Sequence, residues 1–242
     1  MLNKKILNQL IPIAWVIGIS TLIIVSIAWL MSGGVKSSDK TIKTDTDKEL
    51  AGPLAPDKLP AYNVEITNDM NPIATIKTNY GTIKLELFED RMPITVGNFK
   101  KLAKEGFYDG TKFHRVIEGF MIQGGDPNSK TDNVLTYGTG GPGYTIQDEF
   151  IKSDLLSNVR GTIAMANTGQ PNSGGSQFFI NLVDNINLDF DKEPLSSKHP
   201  VFGRVVEGMD VVDKIGQVET NAADVPLEPV VVESITIEEK DK

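Results

Sequence analysis

The folded part of the chain opens with two short stretches in which apolar and polar residues alternate. These stretches, 73–78 and 82–87, are separated by Asn79, Tyr80 and Gly81. Strict alternation is typical of strands with one buried face, and a short loop with Asn and Gly between two such runs indicates a β-hairpin. The sequence therefore predicts an antiparallel hairpin with one solvated face.

A helical pattern follows the hairpin. Pro93 suits the first turn of a helix, Gly106 suits its end, and apolar residues recur between them at intervals of three or four. A second helix is predicted over 209–215 and a last strand over 230–237. Short apolar runs broken by Gly, Pro, Asn and Asp lie between these elements. Many short strands with two isolated helices favour a mainly β fold, a closed or nearly closed barrel.

A long uncharged stretch precedes the folded region. No charged side chain occurs from residue 6 to residue 35, and the apolar part, 11–31, is long enough to cross a bilayer as a helix of about 20 residues. Trp15 and Trp29 lie near its ends, as is typical of the membrane interface. We expect a single transmembrane anchor. A cleaved signal peptide is the alternative, but its apolar region is usually shorter and ends in small residues.

The anchor divides the chain into four predicted parts. Residues 1–10 form a short N-terminal segment, 11–31 the anchor, 32–61 a flexible polar and proline-containing linker, and 62–242 the folded domain. The alternative for the linker is that its last part packs on the domain. Lysines are more numerous after the anchor than before it, which by itself favours a cytoplasmic domain. We expect the domain outside the cytoplasm, since a cytosolic domain gains little from an N-terminal anchor.

Composition excludes several classes of site. The net charge is −8, which disfavours nucleic acid as a partner because such binding rests on neutralising phosphates. The chain has no cysteine and two histidines, which excludes disulfides, Cys-ligated zinc, iron–sulfur clusters and a thiol nucleophile. We expect no metal and no cofactor.

Four dense blocks of aromatic, glycine and amide residues carry the most specific signal. They are FHRVIEGFMIQGG (113–125), GTIAMAN (161–167), GSQFFIN (175–181) and KHPVFG (198–203). Their content and order resemble the signature regions of cyclophilins, the cyclosporin-type peptidyl-prolyl cis/trans isomerases. The resemblance covers about 73–238. It implies a closed eight-stranded antiparallel β-barrel capped by two α-helices, one at each end.

The activity that this resemblance implies needs a fixed donor and an apolar pocket. Rotation about an X–Pro amide has a barrier of about 18–20 kcal/mol, whereas the cis and trans forms differ by only about 0.5–1 kcal/mol. At the twisted transition state the amide nitrogen becomes a better hydrogen-bond acceptor. A donor aimed at that nitrogen therefore stabilises the transition state selectively. No nucleophile, general base or metal is required.

The resemblance assigns ten site residues. Arg115 matches the catalytic donor, and Gln123 matches the glutamine that supports it and contacts the substrate backbone. The residues that match substrate contacts are Phe120, Met121, Phe179, Leu188 and His199 for the proline pocket, Ala166 and Asn167 for pairing with an extended substrate, and Gln177 for a second polar wall. Judged by residue type alone, an arginine is more often part of a surface ion pair, and Phe and Met more often belong to the core.

Two features depart from the family pattern. Asn187 lies where many cyclophilins have tryptophan or phenylalanine, and the segment 189–197 is longer than the usual turn. Phe190 could replace the missing aromatic contact, or the alignment could be displaced by a few residues. We expect weakened cyclosporin binding with a smaller effect on turnover.

The sequence thus predicts a monomeric peptidyl-prolyl cis/trans isomerase that accelerates X–Pro rotation in proline-containing polypeptides and assists protein folding. The alternative is a non-catalytic proline-peptide binding module or chaperone on the same fold, which Asn187 leaves open. A third interpretation is a structural barrel that only makes protein contacts.

Overall fold

A computed structural model describes residue 62, residues 64–193 and residues 197–240. The predicted N-terminal segment, anchor and linker lie outside these residues, so the transmembrane helix expected at 11–31 is not among the elements described below. No helix within the described residues is long and apolar enough to cross a membrane. The predicted domain boundaries stay predictions.

Eight antiparallel strands form one sheet, which is the strand number that the resemblance implies. They are β1 (Ile73–Thr78), β2 (Gly81–Leu87), β3 (Arg115–Ile117), β4 (Met121–Gly124), β5 (Thr162–Met165), β6 (Phe178–Asn181), β7 (Val201–Glu207) and β8 (Val232–Glu238). Their spatial order is β3-β4-β6-β5-β7-β2-β1-β8. The predicted hairpin is confirmed: β1 and β2 pair in register, with Thr78 opposite Gly81 across a two-residue turn.

The sheet is not closed, so the prediction of a closed barrel is wrong. In the described residues β3 and β8 lie at the two ends of the strand order, and no ladder joins them. β3 has only three residues, and the Val116 N–H group at its free edge donates to the backbone oxygen of Asp224 at 2.8 Å. β8 instead bonds to the chain before β3, where the Gly110 N–H donates to the Val232 oxygen at 2.8 Å. A turn therefore occupies the edge that a closing strand would need.

Both predicted α-helices are present. α1 (Pro93–Lys104) has proline in its first turn and ends before Gly106, whose φ of +67° suits glycine. α2 (Met209–Ile215) begins after Gly208, where φ is +84° and a Cβ would collide with the backbone of β2. α1 packs against β8 and α2 against β2. Lys100 and Lys104 of α1 pair with Glu239, just after the end of β8, whereas Val211 of α2 lies against Gly81 at the hairpin turn, so the two helices lie at opposite ends of these strands.

An aromatic cluster joins α1 to the sheet. The ring of Phe99 in α1 lies 5.2 Å from that of Tyr108, 5.6 Å from Phe178 and 5.4 Å from Phe202, measured between centroids. All four side chains are fully buried, and the Tyr108 hydroxyl donates to the backbone oxygen of Ser176 at 3.2 Å. Burial of each such ring contributes about 2–3 kcal/mol. The cluster therefore fixes α1 against β6 and β7.

Glu86 breaks the hairpin pattern, because the alternation places it on the solvated face and the structure buries it completely. The chain before β1 covers it. Its carboxylate accepts hydrogen bonds from the Thr67 N–H and hydroxyl, the Asn68 N–H and the Asn71 amide at 2.6–3.1 Å, and from Arg204 Nε at 3.2 Å. Burial alone would raise the pKa of Glu86, but the hydrogen bonds from Thr67, Asn71 and Asn68 outweigh it and lower the pKa.

We expect Glu86→Gln to lower the free energy of unfolding at pH 7 by about 3 kcal/mol, since it leaves Arg204 without its charged partner and weakens a buried network. A lowered folded-state pKa stabilises the fold above the unfolded value, near 4.3, and this stabilisation is lost as the pH falls through the folded value. Wild type should therefore lose more stability than the variant on acidification. Urea unfolding at pH 7 and over the acid range measures both effects.

The matched control for this prediction is Glu207→Gln. Glu207 pairs with Lys84 at the surface, with side chains 65% and 41% exposed, so its loss should change stability little. Equal acid sensitivity of wild type and Glu86→Gln would contradict the assignment of the buried carboxylate as the pH-dependent element.

Candidate active site

Strand register brings the predicted catalytic pair to one face of the sheet. Arg115 of β3 stands directly opposite Gln123 of β4, and Gln123 stands directly opposite Phe179 of β6. Residues directly opposite one another project to the same face, and so do residues two apart on one strand. Met121 therefore shares this face with Arg115, Gln123 and Phe179. The alternate residues project to the other face and are the buried core residues Val116, Ile122 and Ile180.

Arg115 is held at the rim of this face. Its side chain is 44% exposed, and its Nε donates to a carboxylate oxygen of Asp224 at 3.4 Å. This contact engages Nε alone, and the outer nitrogens of the guanidinium, which carry four of its five N–H donors, make no hydrogen bond among the described residues. The surface ion pair that residue type alone favours is thus present, and it does not consume the donors that the predicted role requires.

Gln123 belongs to a chain of amides. Its Nε2 donates to Gln177 Oε1 at 3.0 Å, and Gln177 Nε2 donates in turn to the backbone oxygens of Gly138 and Gly140 at 3.0 and 2.8 Å. Because the Gln123 amide nitrogen is used in this way, its orientation is fixed. Its oxygen has no donor among the described residues and is available to accept a hydrogen bond from a backbone N–H group of a ligand.

The predicted proline pocket is an apolar surface beside these amides. Met121, Phe179 and Leu188 are almost completely buried, and Phe120 is half-buried against the same core. The rings of Phe179 and His199 meet edge to face, with centroids 5.3 Å apart. The backbone N–H of His199 donates to the backbone oxygen of Leu188 at 3.1 Å. The five residues that the resemblance assigns to the pocket are thus contributed by β4 and the residue before it, by β6, and by the segment between β6 and β7.

His199 is a neutral wall of this pocket. Burial lowers the pKa of its imidazole, and the opposing hydrogen bond to the Met165 backbone oxygen, at 3.1 Å, does not offset it. His114, next to Arg115, is buried and its pKa is lowered by burial as well. Neither histidine is therefore arranged as a proton donor at neutral pH.

Ala166 and Asn167 line a second, polar cleft. This cleft has a volume of about 510 Å³ and is also bounded by Gln123, Gln177 and the glycine-rich segment 138–145. The Asn167 amide donates to the Lys198 oxygen at 2.7 Å, and the Ala166 N–H donates to the Gln177 oxygen at 3.0 Å. Both faces of the site, apolar and polar, thus meet at Gln123 and Gln177.

The outer wall of this cleft is fixed by α1. Glu149 accepts hydrogen bonds from the Ile94 and Thr95 N–H groups at 3.0 and 2.7 Å, which places a carboxylate at the positive end of the helix. Asn98 donates to the Gly175 oxygen at 2.7 Å and accepts from the Tyr144 hydroxyl at 2.8 Å. The cleft is therefore built on a rigid element rather than on a free loop.

The structure brings all ten predicted site residues into two adjoining surfaces, but it does not restore the missing aromatic. Asn187 is exposed in a 3-10 turn, Ile186–Leu188, and Phe190 stacks on Phe150 at 5.3 Å. Sequence reasoning missed Asp224 and the 138–145 segment. The run of glycines at 138–143 was a signal of close backbone approach, whereas no local pattern marked Asp224.

The comparisons with known proteins match the part of the chain that forms the sheet. The family model described as "Cyclophilin type peptidyl-prolyl cis-trans isomerase/CLD" matches residues 73–237. Peptidyl-prolyl cis-trans isomerase B of Escherichia coli (strain K12) is 47% identical over 177 residues, which cover 69% of this chain and 100% of that protein. A peptidyl-prolyl cis-trans isomerase of Acinetobacter baylyi is 43% identical over 171 residues, which cover 69% of this chain and 86% of that one.

A longer relative and a solved structure extend the comparison. A putative bifunctional phosphatase/peptidyl-prolyl cis-trans isomerase of Streptococcus pyogenes is 41% identical over 218 residues, which cover 79% of this chain but only 42% of that protein. The crystal structure of a Cryptosporidium parvum cyclophilin in the presence of the dipeptide Ala-Pro has a TM-score of 0.59 and 30% identity, covering 69% of this chain and 99% of that one. With a family model over residues 73–237 and two bacterial relatives covered over 86% and 100% of their length, the chain belongs to the cyclophilin-type peptidyl-prolyl cis-trans isomerases.

Proposed function

We propose that Arg115 and Gln123 are the catalytic pair of this isomerase and that the surface formed by Phe120, Met121, Phe179, Leu188 and His199 holds the substrate proline. The activity itself, rotation of X–Pro bonds, follows from membership of the family. The observation that carries the assignment is the register that sets Arg115, Gln123 and Phe179 side by side on one face.

The chemistry requires little more than this arrangement. An apolar pocket fixes the proline ring, and the carbonyl of the preceding residue swings around the C–N bond. The free N–H donors of Arg115 bind the pyramidal nitrogen more strongly than the planar one, which lowers the barrier without covalent chemistry. Gln123, with its amide orientation fixed by Gln177, holds the substrate backbone while the bond turns.

The substrate class that fits best is an extended polypeptide. The polar cleft beside Ala166 and Asn167 continues away from the proline pocket and has room for a neighbouring side chain. The solved relative was crystallised in the presence of Ala-Pro, a minimal X–Pro unit. Exposed proline-containing segments of unfolded proteins present such extended backbone, and their uncatalysed isomerisation takes tens to hundreds of seconds. Assistance to protein folding is the role that follows.

The predicted location, a single pass through a membrane with the domain outside the cytoplasm, stays a prediction because residues 11–31 lie outside the described part of the chain. Cell fractionation, together with protease treatment of cells whose membrane is intact, distinguishes the two sides of the membrane.

We expect Arg115→Ala to lower kcat/KM for an X–Pro test peptide by about 100-fold or more, because it removes the donor made for the transition state. Arg115→Lys keeps the charge but loses the planar fork, and should recover only a small part of the rate. The measurement is the cis-to-trans rate of a proline peptide at several enzyme concentrations.

The control for Arg115 is Arg91→Ala, which removes an exposed arginine whose neighbour Asp90 lies 3.8 Å away and which should leave the rate unchanged. An Arg115→Ala protein that keeps the full rate would refute the role assigned to Arg115. If the wild type binds proline peptides and suppresses client aggregation but does not accelerate rotation, the non-catalytic module, for which exposed Asn187 is the favouring feature, is the better assignment.

We expect kcat/KM to be independent of pH above about 6.5, since the mechanism uses no titrating group. The lowered pKa of His199 means that its neutral form is favoured by folding. That stabilisation is complete above the unfolded pKa and is lost as the pH falls below it towards the folded value. Activity should therefore decline only on the acid side.

His199→Phe tests this explanation of the acid decline. It keeps an aromatic wall against Phe179 and removes the titrating group, so the acid decline of kcat/KM should be smaller than in wild type. His114 titrates in the same direction in both proteins and does not affect the difference. A bell-shaped profile centred near neutral pH would instead indicate general acid–base catalysis and contradict the mechanism.

A further inference from the structure

The turn 219–227 is a self-supporting unit beside β3. The Asp224 N–H donates to the Asn221 oxygen at 3.0 Å, and the Asn221 N–H donates to the Val225 oxygen at 2.9 Å. The side-chain oxygen of Asn221 accepts from the N–H groups of Ala223 and Val225 at 2.8 and 3.2 Å, and the Leu227 N–H donates to the Glu219 oxygen at 2.8 Å. These bonds fix the shape of the turn independently of its contacts with the sheet.

Asp224 has an unusual backbone conformation in this turn. Its φ is +61°, in the left-handed region, and Asn172 is the only other non-glycine residue there in the described part of the chain. Side chains are disfavoured in that region, although Asp and Asn tolerate it best. Such a residue persists only where its surroundings determine its conformation, and residues of this kind concentrate at functional sites.

Asp224 contacts two consecutive residues of β3. Its backbone oxygen accepts from the Val116 N–H at 2.8 Å, and its carboxylate accepts from Arg115 Nε at 3.4 Å. The first bond fixes the turn relative to the strand, and the second reaches the side chain that we assign to catalysis. The carboxylate comes from 109 residues further along the chain and approaches the guanidinium from the open edge of the sheet.

We propose that Asp224 is a positioning residue, which holds Nε of Arg115 so that the outer N–H groups of the guanidinium meet the proline nitrogen. The inference rests on the role proposed for Arg115. Without a partner, a long and half-exposed arginine samples many rotamers, and ordering it at the transition state would cost entropy. The 3.4 Å contact is longer than the usual 2.7–2.9 Å of a charge-assisted bond, so its effect is orientation rather than strong attraction.

Two substitutions of Asp224 distinguish a role in positioning Arg115 from a role in stabilising the fold. Asp224→Gly removes the carboxylate and, because glycine accepts a positive φ, should leave the unfolding midpoint unchanged or raised. Asp224→Asn keeps the shape and the tolerance for this conformation but removes the charge. We expect both to lower kcat for an X–Pro peptide by about tenfold with little change in KM, because the loss concerns the orientation of a transition-state donor.

The double variant Arg115→Ala/Asp224→Gly gives the decisive comparison. If Asp224 acts through Arg115, adding Asp224→Gly to Arg115→Ala should cause no further loss of rate. The matched control is Asp132→Asn, which removes the carboxylate from an ion pair with Lys112 and should leave kcat unchanged. Full activity of Asp224→Gly, or the same tenfold loss in both backgrounds, would overturn the inference.

A second readout does not depend on activity. The NMR signal of the Arg115 Nε–H group should have a high order parameter in wild type and in Asp132→Asn, and a reduced one in Asp224→Gly. An unchanged order parameter in Asp224→Gly would show that the carboxylate does not hold the guanidinium. If Arg115→Ala keeps the wild-type rate, the proposed catalytic role fails on its own, whereas this NMR comparison still decides whether Asp224 orders the side chain.

Discussion

Alternation of side chains across the β3-β4-β6 ladder determines both the core and the site. Because Arg115, Gln123 and Phe179 stand directly opposite one another, they project together, while Val116, Ile122 and Ile180 project to the buried side. A displacement of one residue in either ladder would bury the guanidinium and expose the core. The same pairing that excludes water from one face therefore assembles donors and an apolar pocket on the other.

The open edge of the sheet at β3 leaves room for the turn whose Asp224 contacts Arg115. A strand paired with β3 would occupy the edge from which Asp224 reaches Arg115, so the short β3 and its covering turn are linked features. The turn satisfies the Val116 N–H, which would otherwise be an unpaired backbone donor at an exposed edge. The open edge of the sheet thus leaves no unpaired backbone donor at Val116.

Carboxylates hold other segments in place in the same manner. Glu86 gathers the chain before β1 onto the sheet, and Glu149 joins the wall of the polar cleft to the first turn of α1. Each carboxylate accepts hydrogen bonds from backbone N–H groups of another segment. In these irregular segments the carboxylate therefore satisfies backbone donors that a neighbouring strand would satisfy in a sheet. Of the two, Glu149 connects the segment that follows the polar cleft to a helix.

The sequence by itself determined the hairpin, α1 and α2. Apolar residues recur every two positions in a strand and every three to four in a helix, and this spacing can be seen within a short stretch of sequence. The family resemblance supplied the ten site residues, because the four motif blocks are contiguous in the sequence. The tertiary structure alone decided that the sheet stays open, that Glu86 is buried, that α1 supports the polar cleft and that Asp224 meets Arg115. These contacts join residues as distant as Glu86 and Arg204, 118 apart, and Arg115 and Asp224, 109 apart. The local periodicity of a sequence carries no record of which distant segments will meet.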